Sequence, residues 1–196
     1  MDDCVSGACG AGDRRCRDGC CGTNDGGQVL RGRVITATTA VLALVSAALP
    51  LLIWVDLRDI GIPMSWDGLW GYHGVAAEHY GPLLGGGRPL GWVILTASVT
   101  AAVSLGISLF NGWWLRIVAV VAAAVAAVTA VLCLADPGLL LGDFTEQLGV
   151  EPASDRVLTN TTALVAQTVA ASVVLIGAVV SSVLGTRGPT AGIREE

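Results

Sequence analysis

The chain has 196 residues, of which 53% are hydrophobic and 14% charged, with a formal net charge of −5 and a mean hydropathy of +0.68. That excludes an ordinary soluble domain, and the length suits one small helical bundle. All 11 basic residues are arginine, and they are dispersed, which leaves no footprint for nucleic acid and, with abundant Ala, Gly and Val, points to a GC-rich bacterial genome.

Residues 1–33 read as a polar tail, rich in Gly, Asp and Cys. So few large apolar side chains cannot offset the entropy of ordering, and the composition predicts a disordered Cys/Gly-rich segment. Five of the six cysteines lie here, as Cys4, Cys9, Cys16, Cys20 and Cys21 with spacing C-x4-C-x6-C-x3-C-C. Clustered thiols in a reducing compartment point to metal binding, redox sensing or free thiols rather than disulfides. Four thiolates suffice for zinc or an iron–sulfur cluster. The paired C-x-x-C knuckle of known zinc modules is absent.

Four long apolar runs follow, Val34–Val55, Gly91–Phe110, Trp114–Ala135 and Thr161–Leu184, and their only charge is Arg116 at the start of the third. At about 1.5 Å rise per residue, each spans the roughly 30 Å hydrocarbon core of a bilayer. The expected fold is an all-α integral membrane protein, a four-helix bundle over residues 34–185 followed by a C-terminal tail, 186–196. The first run is too long and too far along the chain for the core of a cleaved signal peptide, so it is read as a retained span. In it, Pro50 is expected to kink the last turn and Trp54 to sit at headgroup depth.

The first connection carries Trp66, Leu69, Trp70, His73, Ala77, Tyr80 and Leu84 at steps of three or four. This spacing predicts an interfacial helix over Ser65–Leu83 with one aromatic face, although Gly68, Gly71 and Gly74 weaken it by about 1 kcal/mol each. His73 and His79 are six apart and share no helix face, so they read as polar interfacial residues. The second connection, Asn111-Gly112-Trp113, is so short that spans two and three form an antiparallel hairpin, with Trp113, Trp114 and Arg116 at its interface. After span three, Asp136-Pro137-Gly138 breaks the helix. Asp143-Phe144-Thr145-Glu146 has the form of a helix start, and Pro152 with Ser154 or Asp155 is placed to cap a last helix that begins in water and runs through span four.

Small residues recur every four along the spans: Ser98, Ala102 and Gly106; Ala119, Ala123 and Ala127; Ala166 and Ala170, then Gly177 and Ser181. Lipid is as apolar as leucine, so helices associate through the close approach that small side chains permit. Such faces serve either one compact bundle or a homo-oligomer. Gln167, the one amide inside a span, is expected to bond across helices and fix their register. Cys133 reads as a packing residue. Asn160-Thr161-Thr162 has the form of a glycosylation acceptor, meaningful only in a secretory eukaryotic context.

The basic residues divide unevenly. Arg14, Arg15, Arg17, Arg31, Arg33, Arg116, Arg187 and Arg194 fall on one side, and only Arg58, Arg88 and Arg156 on the other. Arginine near span ends is retained in the cytoplasm, so both termini are expected inside and the two longer loops outside. Walker, GxSxG, HExxH and dinucleotide motifs are absent, and the spans lack the acids that proton relays and carriers use.

Two function classes follow. One is a non-catalytic plasma-membrane protein, an accessory or assembly subunit that acts through helix packing and its aromatic outer loop on other membrane proteins or on itself. The other is a thiol- or metal-responsive protein using the cysteine tail. Four spans with inside termini, a larger first outside loop and the triplet Gly68-Leu69-Trp70 resemble the claudin and peripheral-myelin layout. That family's pattern places two cysteines in the same loop, where this chain has none.

Overall fold

The computed structural model describes residues 25–58, 61, 63–69, 71–75, 78, 90–110, 112–141 and 159–185. In chain order these form helix α1 (Asp25–Ala48), a 3-10 turn (Leu49–Leu51), strands β1 (Ile53–Asp56), β2 (Ser65–Asp67) and β3 (Tyr72–His73), then helices α2 (Leu90–Ser108), α3 (Trp113–Ala135), α4 (Gly138–Leu141) and α5 (Thr161–Gly185). Four stretches are long and apolar enough to cross a membrane: Leu30–Leu51, Leu90–Ser108, Trp113–Ala135 and Thr161–Leu184. The chain is a multi-pass membrane protein by the length and composition of these helices.

The helices pack as an antiparallel ring, α1 against α2, α2 against α3, α3 against α5 and α5 against α1, while the diagonal pairs scarcely touch. The distribution of side chains is inverted relative to a soluble bundle. Ala43, Ala101, Ala102, Ala119, Ala123, Ala126 and Ala178 are buried, while Val41, Leu44, Val103, Val121, Val128 and Ile176 face outward. A hydrophobic exterior of this extent suits lipid as solvent. The small interior residues then let the backbones approach closely. At one such point a Cβ on Gly177 would lie 2.5 Å from the Thr39 hydroxyl of α1.

Span one departs from the expected helix. It ends at Ala48, with Pro50 in a 3-10 turn, and Ile53–Asp56 is a strand. Proline supplies no amide hydrogen to continue the helical ladder, and the β-branched Ile53 and Val55 favour extended backbone. The pairing of β1 with β2 matches Ile53 to Asp67 and Val55 to Trp66, which leaves Trp54 as an extra residue in a bulge. The bulge breaks the alternation of a strand, so neighbouring Trp54 and Val55 are both buried. Trp54 is therefore interior at 1% exposure rather than a headgroup anchor.

The predicted interfacial helix over Ser65–Leu83 is also corrected where its residues are described. Ser65–Asp67 and Tyr72–His73 are antiparallel strands in a sheet ordered β1-β2-β3. Two causes act together. The Asp67 carboxylate accepts from the amides of Leu69 at 2.9 Å and Gly71 at 2.7 Å, an alternative to the helical ladder that aspartate offers readily. Gly74, with φ at +115°, holds a conformation closed to a right-handed helix.

The last helix begins at Thr161, not upstream. Thr159 bridges to Val55, and Asn160 caps the helix through its Oδ1, which accepts from the Ala163 amide at 3.2 Å. The expected disordered tail, 1–33, is corrected over its last part, since residues 25–33 form the opening turns of α1, continuous with the span. The expected helix start at Asp143 and the caps at Pro152, Ser154 and Asp155 lie outside the described residues, as do residues 1–24, Trp70, His79 and Tyr80.

Candidate functional site

The sheet caps one end of the bundle, where α1 and α3 end and α2 and α5 begin. Its interior is a cluster of Trp54, Val55, Leu57, Met64 and Trp66 that continues into Ile94, Ala130, Cys133, Leu140 and Leu164 of the helical part. Burying the two indoles alone removes about 150–250 Å² each from water. The Trp66 ring meets Tyr72 edge-on, with centroids 6.2 Å apart and planes at 63°. Burial raises the Tyr72 phenol above its ordinary value.

Hydrogen bonds tie the cap to the 3-10 turn that follows α1, to α2 and to the start of α5. The Gly68 amide donates to the Pro50 carbonyl at 2.8 Å and the Asn160 amide to the Trp54 carbonyl at 2.7 Å. The Asn160 side-chain amide donates to the Ile53 carbonyl at 3.1 Å, so one residue both starts α5 and holds β1. The Trp92 indole of α2 donates to the Leu69 carbonyl at 3.2 Å. Among the described residues, cap and bundle thus share one core and one hydrogen-bond network.

Asp67 organises the β2–β3 turn. It is 9% exposed, its Oδ1 takes the two amides named above, and its Oδ2 lies 3.5 Å from Nε2 of the exposed His73. An exposed ion pair joins Arg58 to Asp56 at 3.8 Å. Pairs of that kind contribute at most about 1 kcal/mol. The cap's outer rim, with Arg58, Pro63, His73, Val75 and Glu78, is exposed.

The predicted interface residues separate into groups. Trp54 and Trp66 are buried and Leu69 is half-buried, while Trp113 and Trp114 are exposed at the opposite end of the bundle and Arg116 is half-buried there. Trp70 and Tyr80 lie outside the described residues. Of the packing residues, Ser98, Ala102, Ala119, Ala123 and Ala127 are buried, Gly177 lies against Thr39, and a Cβ on Gly106 would meet open space. Gln167, 1% exposed, donates from Nε2 to the Ser46 hydroxyl at 3.1 Å, joining α5 to α1. The predicted metal ligands Cys4, Cys9, Cys16, Cys20 and Cys21 lie outside the described residues. Among the described residues no three His, Cys, Asp or Glu side chains gather.

Sequence reasoning missed Asp67, Asn160 and Pro50 as the cap's organising residues. Asp67-Gly68 is a turn signal that the three- and four-residue aromatic spacing masked. The partners of Asn160 lie about a hundred residues away, beyond the reach of any local pattern. Comparison with family models, with curated proteins and with solved structures finds no match.

Proposed function

We propose that this chain is a non-catalytic multi-pass protein of a bacterial plasma membrane, an accessory or assembly subunit, with both termini in the cytoplasm and the cap outside. The observation that supports it most is the joint between sheet and bundle. Pro50, Gly68, Trp92 and Asn160 bind the cap to the 3-10 turn after α1, to α2 and to the start of α5, which anchors a small folded surface at the end of the bundle. A folded surface binds a partner at lower entropic cost than a loop. The spans themselves carry no acid, and their arginines, Arg31, Arg33 and Arg116, lie within the first four residues of a span, which favours packing over proton or ion transfer.

Cross-linking tests this reading. A photoreactive residue at Val75, 89% exposed on the cap, should give a discrete adduct with another membrane protein in native membranes. The same probe at outward-facing Val121 should give lipid adducts. Loss of the Val75 adduct in Asp67→Ala would tie the partner to the folded turn. An absence of any protein adduct at Val75 would contradict the proposal. The thiol- or metal-responsive alternative rests on the five tail cysteines. It would replace the first reading if the purified full chain carried stoichiometric metal that vanished in a Cys16→Ser, Cys20→Ser variant.

A further inference from the structure

The end of the bundle opposite the cap carries its own chemistry. Phe110 is 89% exposed, Trp113 and Trp114 are 59% and 65% exposed, and the two indoles pack together with centroids 4.1 Å apart and planes at 36°. Arg116 stands one turn beyond Trp113, and residues three apart are neighbours on a helix surface. Its side chain is half-buried. Among the described residues no carboxylate pairs with it, and no acceptor meets its guanidinium or either indole N–H. Arg31 and Arg33, both exposed, lie at the same end on α1.

Three features converge. Exposed indoles favour the depth of lipid headgroups, where an apolar ring and a polar N–H are both accommodated. A guanidinium is a planar fork of donors that matches phosphate oxygens. A half-buried arginine at a membrane boundary that meets no carboxylate among the described residues leaves its charge to be matched by the lipid. We infer that Arg116, with Trp113 and Trp114 beside it, docks the phosphate of an anionic phospholipid headgroup. The site selects for net negative charge, because a zwitterionic headgroup offers the same phosphate with a compensating cation.

The test uses the full chain in phosphatidylcholine vesicles. A minor share of the lipid is replaced by brominated phosphatidylglycerol or by phosphatidylcholine brominated at the same depth. The quenching that disappears in Trp113→Phe, Trp114→Phe is assigned to this pair. That component should be about twofold greater with the anionic lipid, a surface-charge preference that falls as salt rises. Arg116→Gln, which leaves both indoles in place, should equalise the two lipids. Equal quenching in the unaltered protein would overturn the inference. So would an anionic preference that survives Arg116→Gln, including one that disappears only in Arg31→Gln, Arg33→Gln.

Discussion

Gly68 and Gly91 touch at the point where the cap meets the bundle. A side-chain carbon on Gly91, in the first turn of α2, would collide with the Gly68 carbonyl, and one on Gly68 would lie 2.8 Å from the Trp54 ring and 2.9 Å from the Pro50 carbonyl. Sheet, 3-10 turn and helix therefore converge on two residues that have no side chain. Overfilling this joint should destabilise the protein.

Gly91→Ala is expected to cost about 1–3 kcal/mol, because the obstructing atom is backbone and cannot swing aside. Gly106→Ala, on the adjoining length of the same helix, enters open space and should instead gain about 0.5–1 kcal/mol from reduced backbone entropy. Thermal unfolding of both variants in the same detergent gives the comparison, and a similar loss in both would mean that the joint is not close-packed.

Asp67→Ala removes the acceptor for two half-buried amides, and each N–H left unpaired costs toward the lower end of about 1–3 kcal/mol. Asp67→Asn keeps an oxygen for those amides and loses the contact with exposed His73, worth at most about 1 kcal/mol. Hydrogen exchange at Leu69 and Gly71 should therefore accelerate strongly in the alanine variant and slightly in the asparagine variant.

Asn160→Ala should cost about 0.5–2 kcal/mol from the lost helix cap, together with the bond to Ile53. Asn160→Asp restores the cap oxygen but has no amide to donate to β1. If the aspartate variant matches asparagine in stability, the cross-connection to the strand contributes nothing.

Ser46 and Gln167 form a buried pair across α1 and α5. A double-mutant cycle with Ser46→Ala and Gln167→Leu should give a coupling of about 0.6 kcal/mol and no more than about 1.7, the range for hydrogen bonds between membrane helices. Zero coupling would mean that the register is set by the small residues alone.

The spans were legible because lipid imposes a length and an apolar composition that no other environment demands, and the ends of α2, α3 and α5 differ from the apolar runs by a residue or two, whereas α1 starts nine residues before its run, at Asp25, and stops at Ala48 ahead of Pro50. The cap was not. Strands of two to four residues hold too few side chains to display an alternation, so Trp66, Leu69, Trp70, His73 and Tyr80 read as a helical face. The bulge at Trp54 erased what alternation β1 had. Burial of Trp54 and Trp66 depends on Gly68, Met64 and Ile94 meeting in space, which spacing along the chain does not encode.

The central claim is that the bundle spans the membrane with the cap outside and the tryptophan pair inside. Single cysteines at Val75 and at Phe110, each 89% exposed, test it most directly in a background without native cysteines. In intact cells a membrane-impermeant thiol reagent should label Val75→Cys and leave Phe110→Cys untouched until the cells are permeabilised. Labelling of Phe110→Cys in intact cells, or protection of Val75→Cys, would contradict the account.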